Sequence, residues 1–179
     1  IETQEPIMQM PEPDQAVIDR RETICRDLCE LVAADCVIDS VEGRRAYDAD
    51  GLSAYRELPL AVVLPETVQQ IASVMKYCHN EGIKVVPRGS GTSLSGGALP
   101  LADAVLVGLG KFNRILDVDY ANRCVVAQPG VTNLAITHAV QADGFYYAPD
   151  PSSQIACSVG GNVAENSGGV HCLKYGLTT

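Results

Sequence analysis

Val86-Pro-Arg-Gly-Ser-Gly-Thr-Ser-Leu-Ser-Gly-Gly-Ala98 is the stretch on which the reading of this chain turns. It follows a short apolar run, Ile83–Val86, and places four glycines in the nine positions from Gly89 to Gly97. Glycines leave no Cβ between the backbone and a ligand, and successive N–H groups in such a loop form a concave anion site. Arg88 adds a cation. The chain carries 22 acidic residues, yet none lies between Gly82 and Ala102. A loop cleared of carboxylates in an acidic protein suits a phosphate or a pyrophosphate. The competing reading is a glycine-rich turn that only permits tight packing.

Working outward, Leu60–Leu64 reads as a buried strand ended by Pro65. Thr67 and Gln70 have the spacing of a capping box. Val68, Ile71, Ala72 and Met75 then line one helical face, and Gly82 stops the helix. Leu60 to Val86 is therefore a strand–helix–strand unit with the glycine loop at the carboxyl end of its second strand, where open α/β sheets bind ligands. Ala104–Leu109 is a further buried strand. Ile115–Asp119 and Cys124–Gln128 flank Tyr120-Ala-Asn-Arg123 and read as a hairpin. Thr132 caps a helix to about Gln141, with Leu134, Ala135, Thr137, His138 and Ala139 on its packed side and Gly144 as its stop.

On the N-terminal side, Asp14 caps a helical pattern carried by Val17, Ile18, Ile24, Leu28, Leu31 and Val32. Cys36–Ile38 reads as a short strand and Val41–Leu58 as a connection. Residues 1–13 are acidic and Pro-rich and read as a disordered lead-in, without the basic start and apolar core of a signal peptide. Ile1 in place of Met suggests a piece of a longer chain.

Bulk properties narrow the partners. With 179 residues the expectation is about one domain. A net charge of −9 disfavours nucleic acid and anionic lipid. No apolar run is long enough for a membrane helix. Seven cysteines without framework spacing read as reduced, structural thiols of a cytosolic protein.

Nine of the sixteen glycines lie in Gly89–Gly97 and Gly160–Gly176, and the second segment holds one acid, Glu165. Two such loops can clasp a ligand the size of a dinucleotide. Familiar templates fail on the first. Leu94 replaces the last glycine of Gly-x-Gly-x-x-Gly, and no Gly-Lys-Ser/Thr follows. Ser93 lies between Gly91 and Ser95, which breaks the nucleophile elbow. Cys25, Cys29 and Cys36 match neither zinc nor ferredoxin spacing, and no metal is expected.

These segments resemble a known family. Pro87–Gly97 resembles the pyrophosphate loop of FAD-linked oxidases of the vanillyl-alcohol oxidase (PCMH) type. Tyr47–Tyr55, Lys111–Leu116 and Tyr146–Leu177 resemble the FAD-binding subunits of bacterial glycolate oxidases. The resemblance runs from about residue 14 to the end of the chain. It implies an α+β, PCMH-type FAD-binding domain. A helical segment would span residues 14–55, a small α/β subdomain 56–116, and a second, mixed subdomain 117–179, incomplete at its C-terminus.

The residues implied to hold FAD are Pro87, Arg88, Gly89, Ser90, Gly91, Thr92, Ser93, Gly96 and Gly97 in the first loop. In the second region they are Asp150, Pro151, Ser152, Ser153, Ser158, Gly160, Gly161, Asn162, Ala164 and Asn166. Thr92 stands where some relatives tether FAD through His, which implies dissociable FAD; a bond through His171 is the alternative. Otherwise His171 reads as a packed or flavin-edge residue, His79 as a surface cap and His138 as partly buried. None of the three shows an acid/base partner in the sequence.

The implied reaction oxidises a small 2-hydroxy acid, glycolate to glyoxylate, with hydride passing to flavin N5 and the hydroxyl proton abstracted. D-lactate is the competing substrate. Electrons would pass to partners, a second FAD-binding subunit and an iron–sulfur subunit, from a cytoplasmic protein peripheral to the inner membrane. Catalytic residues would lie beyond Thr179, so none is expected here. The rival reading takes the chain as an isolated fragment, a non-catalytic module that folds, self-associates and binds no flavin.

Overall fold

The computed structural model describes residues 10–179; most of the lead-in expected over residues 1–13 falls outside the described residues. The chain opens with helices α1 (Gln15–Asp19) and α2 (Arg21–Leu31), then strand β1 (Val37–Ile38) and helix α3 (Val41–Arg45). Next come β2 (Ala61–Val63), α4 (Val68–Glu81), β3 (Lys84–Arg88) and β4 (Ala104–Gly108). The hairpin β5 (Ile115–Asp119) and β6 (Cys124–Ala127) follows, then α5 (Asn133–Val140), α6 (Val159–Glu165) and α7 (Cys172–Tyr175).

Four strands form one sheet in the order β1-β2-β4-β3, with β1 antiparallel and the rest parallel. β4 lies between β2 and β3 and is buried along its whole length, which its unbroken apolar run requires. Strand alternation turns Ala61, Val63, Val105 and Val107 into the core with Ile24 and Leu28 of α2 and Val74 and Cys78 of α4. The buried Cys78 thiol is pushed up to about 11.

Local signals account for most boundaries. Asp14 accepts a hydrogen bond from Ala16 N–H at the start of α1. Thr67 and Gln70 close the capping box of α4, and Gly82 ends that helix at φ 67°. Thr132 caps α5. The hairpin turns through Arg123 at φ 57°, and its register shifts between Ile115 and Asp117.

Several expectations are corrected. The helix from Asp14 breaks at Arg20, with φ −89° and ψ 5°. Arg20 there reaches Glu81, and Arg21 donates to the Leu60 carbonyl at 2.9 Å; these long-range bonds have no local signature. The connection from Val41 contains α3, capped by Ser40. α4 packs through Val74 and Cys78, while Val68 and Met75 are 66% and 46% exposed. α5 packs through Asn133, Ile136 and Val140, which leaves Ala135, His138 and Ala139 exposed. His79 is exposed in the last turn of α4. The glycine-rich stretch after Ser158 is helical, as α6.

Asp103 sets the start of the sheet. It is 2% exposed and accepts from Lys84 Nζ and Asp14 N–H, each at 2.7 Å. Burial pushes its carboxyl up, but the Lys84 and Asp14 hydrogen bonds outweigh this and hold it below the ordinary range. A depressed folded pKa gives stability that is full above the ordinary carboxylate pKa and lost as pH falls through the folded value. Asp103→Asn should therefore cost about 1–2 kcal/mol at neutral pH, and the deficit should shrink in acid. Urea midpoints at pH near 7 and near 3 check this; equal deficits at both would refute the role of the charge.

Candidate cofactor-binding site

β3 ends at Arg88, and the glycine loop leaves the sheet from there. Gly91 and Gly96 adopt φ 68° and 75°. A Cβ on Gly91 would lie 2.3 Å from Arg88 Nη2, so the loop wraps directly over the guanidinium. Among the described residues, no backbone N–H from Ser90 to Leu94 donates to another protein group. The loop faces Ser153, Cys157, α6 and Ser167 across a cleft of about 550 Å³, with Leu109 and Pro129 in its walls. That volume is in the range of small-molecule sites.

Arg88 lines the cleft, but its guanidinium is held by the protein. Its guanidinium donates to the carbonyls of Tyr47, at 3.0 Å, and Ala49, and lies 5.7 Å from the centre of the Tyr47 ring. Burial pulls its pKa down, with Asp50, then Tyr47 and Asp48, opposing. Asp50 is 7% exposed. One of its oxygens accepts from Leu52 N–H at 2.9 Å, and the other is buried without a partner among the described residues. A Cβ on Gly51 would meet the Ser93 and Thr92 carbonyls at 2.6 and 2.8 Å. The 47–51 segment therefore backs the loop.

The opposite wall is α6. Val159 N–H donates to Val131 O and Gly160 N–H to Pro129 O, both at 2.8 Å. Gly161 N–H donates to Ser158 Oγ at 3.3 Å. These first donors of α6 are thus engaged within the protein, while the run of consecutive unengaged amides lies in the first loop. A Cβ on Gly89 would lie 2.3 Å from Ser158 Oγ, so the two glycine segments touch there. Asn162 and Asn133, each 1% exposed, are joined by their side-chain amides. Asn133 Nδ2 also donates to Pro149 O at 2.9 Å, which ties α6 to the Pro149 turn.

Residues 59–179 match the FAD binding domain family. The chain belongs to that family. It is 60% identical to glycolate oxidase subunit GlcD of Escherichia coli (strain K12) over 132 residues, which are 74% of this chain and 26% of that protein. GlcD of Bacillus subtilis (strain 168) is 40% identical over 140 residues, 78% of this chain and 30% of that protein. The chain thus spans between a quarter and a third of these relatives. In fold it is similar to an alkyldihydroxyacetonephosphate synthase, with TM-score 0.77 at 20% identity over 95% of this chain and 33% of that one. It is also similar to p-cresol methylhydroxylase with substrate bound, with TM-score 0.71 at 20% identity over 87% of this chain and 30% of that one.

FAD is the family's cofactor, and the cleft fits it: five consecutive loop amides from Ser90 to Leu94 lack protein acceptors, beside a wall of residues without bulky side chains. Of the residues implied for FAD, Pro87 to Ser93 and Gly97 line the cleft, as do Ser153, Ser158, Gly160, Gly161, Asn162 and Ala164. Gly96, Asp150, Pro151, Ser152 and Asn166 lie outside its lining. Asn166 ends α6 at φ 49°.

His171 is exposed rather than packed, and it has a partner after all. Its Nδ1 lies 2.5 Å from Asp150 Oδ2, and this contact holds the Asp150 carboxyl below the usual range. Sequence reasoning missed Leu94, Ala98, Leu109, Pro129, Cys157, Glu165 and Ser167 in the lining, and Asp50 and Asn133 behind it. Asp50 could have been found, because it sits in the Tyr47–Tyr55 run that carried the resemblance. Leu109 and Pro129 have no local signal; the sheet brings them there.

Proposed function

We propose that this chain is the FAD-binding part of a flavin-dependent 2-hydroxy-acid oxidoreductase that converts glycolate to glyoxylate. The 60% identity to GlcD over 132 residues carries the reading. The amides of Ser90 to Leu94 would hold the pyrophosphate, with Arg88 behind them as a buried positive charge that keeps the loop in place. The glycines of α6 would let the cofactor approach the backbone closely. Bound non-covalently, as Thr92 implies, FAD would supply the acceptor for hydride from the α-carbon. Residues 56–116 and 117–179 would form the two walls as subdomains.

A second FAD-binding subunit and an iron–sulfur subunit would carry electrons onward, in the cytoplasm against the inner membrane. Among the described residues no helix is long and apolar enough to cross a membrane. The test uses the full-length protein without oxygen. Glycolate should bleach the flavin band faster than D-lactate by roughly 10–200-fold, the range one extra carbon is worth. Faster bleaching by D-lactate would move the substrate. Full-length protein that takes up no FAD and shows no flavin band would overturn the reading.

A further inference from the structure

All seven cysteines are free, and one of them faces a lysine. Cys36 is fully buried at the turn before β1. Its Sγ accepts from Lys111 Nζ at 3.1 Å across 75 residues of sequence. Lys111 also donates to Glu66 at 2.7 Å, and its side chain is 34% exposed. Neither the cleft nor the proposed chemistry uses this pair.

The geometry points to Cys36 and Lys111 as the site of an oxidative lysine–cysteine cross-link, an S–O–N bridge formed with hydrogen peroxide as oxidant. In a first step peroxide oxidises the thiol to a sulfenic acid and leaves water. In the second, the lysine nitrogen, having released its ammonium proton to solvent, forms an N–O bond to the sulfenic oxygen. A second peroxide takes up two electrons and two protons and becomes two waters. The sum is thiol plus amine plus two peroxides, giving the bridge and three waters. Four electrons and four protons from a thiol reductant return thiol, amine and water.

Three features favour this pair. The 3.1 Å contact already holds the lysine nitrogen and the sulfur within reach of a single bridging oxygen. Burial and the fixed neighbour steer the sulfenic acid to the amine rather than to a second thiol. The two residues lie in different segments that the fold has already brought together, the turn that leads into β1 at the sheet edge and the connection after β4. That connection begins at Leu109, in the cleft wall, so the bridge would staple the edge strand to the cleft's support. The proposal is independent of the flavin reading, and each can fail alone.

Full-length protein is titrated with peroxide until the exposed Cys124 is oxidised, then digested and weighed with and without dithiothreitol. The expected product links the Cys36 and Lys111 peptides with a gain of about 14 Da, one oxygen added and two hydrogens lost, and disappears on reduction. Tm should rise by about 5 °C on oxidation, as for a bridge closing a long loop. Lys111→Arg keeps the Glu66 ion pair and should show neither change; Cys36→Ser is the second control. Sulfinic or sulfonic acid at Cys36 with Lys111 unmodified would overturn the proposal. So would unmodified Cys36 once Cys124 is fully oxidised, or a linked product in Lys111→Arg.

Discussion

Arg88→Met should cost about 3–5 kcal/mol of stability, as when one member of a buried charge cluster is removed, and leave the full-length protein colourless. The guanidinium holds the Tyr47 and Ala49 carbonyls, and those two part-buried acceptors would lose these donors. Asp50, already with one oxygen unpaired among the described residues, would lose the neighbouring guanidinium whose charge it supports. The loop would lose the group over which Gly91 is wrapped. Lysine cannot reach two carbonyls with a planar fork, so Arg88→Lys should rescue little. Adding Asp50→Asn to Arg88→Met should restore part of the loss, because the orphaned charge is gone. Urea unfolding and flavin content measure both effects. Full flavin stoichiometry in Arg88→Met would show that the loop does not depend on this clamp.

Gly160→Val should lower FAD affinity by about tenfold or more, a margin of at least ~1.4 kcal/mol, and destabilise by about 1–3 kcal/mol through overpacking. Its Cβ would sit 2.7 Å from Pro129 Cβ and 3.1 Å from Pro129 O. Pro129 is held by backbone bonds on both sides: its carbonyl accepts from Gly160, and the neighbouring Gly130 N–H donates to Phe112 O at 2.7 Å. The helix must therefore move into the cleft. Gly161→Ala, whose Cβ would meet only Ser158 Oγ, at 3.2 Å, among protein atoms, adds a methyl to the same wall without pushing the helix and should weaken FAD less. Flavin titration of both variants against the unaltered protein decides the matter; unaltered affinity in Gly160→Val would mean that α6 does not form the wall of the cofactor site.

The two halves of the cleft were unequally legible. The first loop announced itself through glycines, the absence of acid and the strand before it. Its partner wall was visible only as composition. Gly160 and Gly161 read as loop because glycine disfavours helix interiors, yet Ser158 caps a helix there. The close approach to Pro129 supplies the reason for glycine, and no local rule contains it. Asn162 read as a ligand partner; it lines the cleft, and its Nδ2 is held by Asn133, 29 residues away. The Asp150–His171 contact was hidden in the same way, across a separation of 21 residues.

By itself, the sequence determined the strand–helix–strand unit, the caps at Asp14, Thr67 and Thr132, the hairpin, and the anion-suited loop. Each rests on neighbours within one or two turns, where sterics and hydrogen bonding act without help from the rest of the chain. Only the tertiary structure decided which face of a helix is inside and what each polar group holds. α4 offers two apolar stripes, and packing on the sheet and α2 selected Val74 and Cys78 over Val68 and Met75. Arg88 could have faced a ligand or the protein, and the carbonyls of Tyr47 and Ala49 fixed the answer. Burial is a property of the assembled layers, so periodicity can propose a face but cannot choose between two.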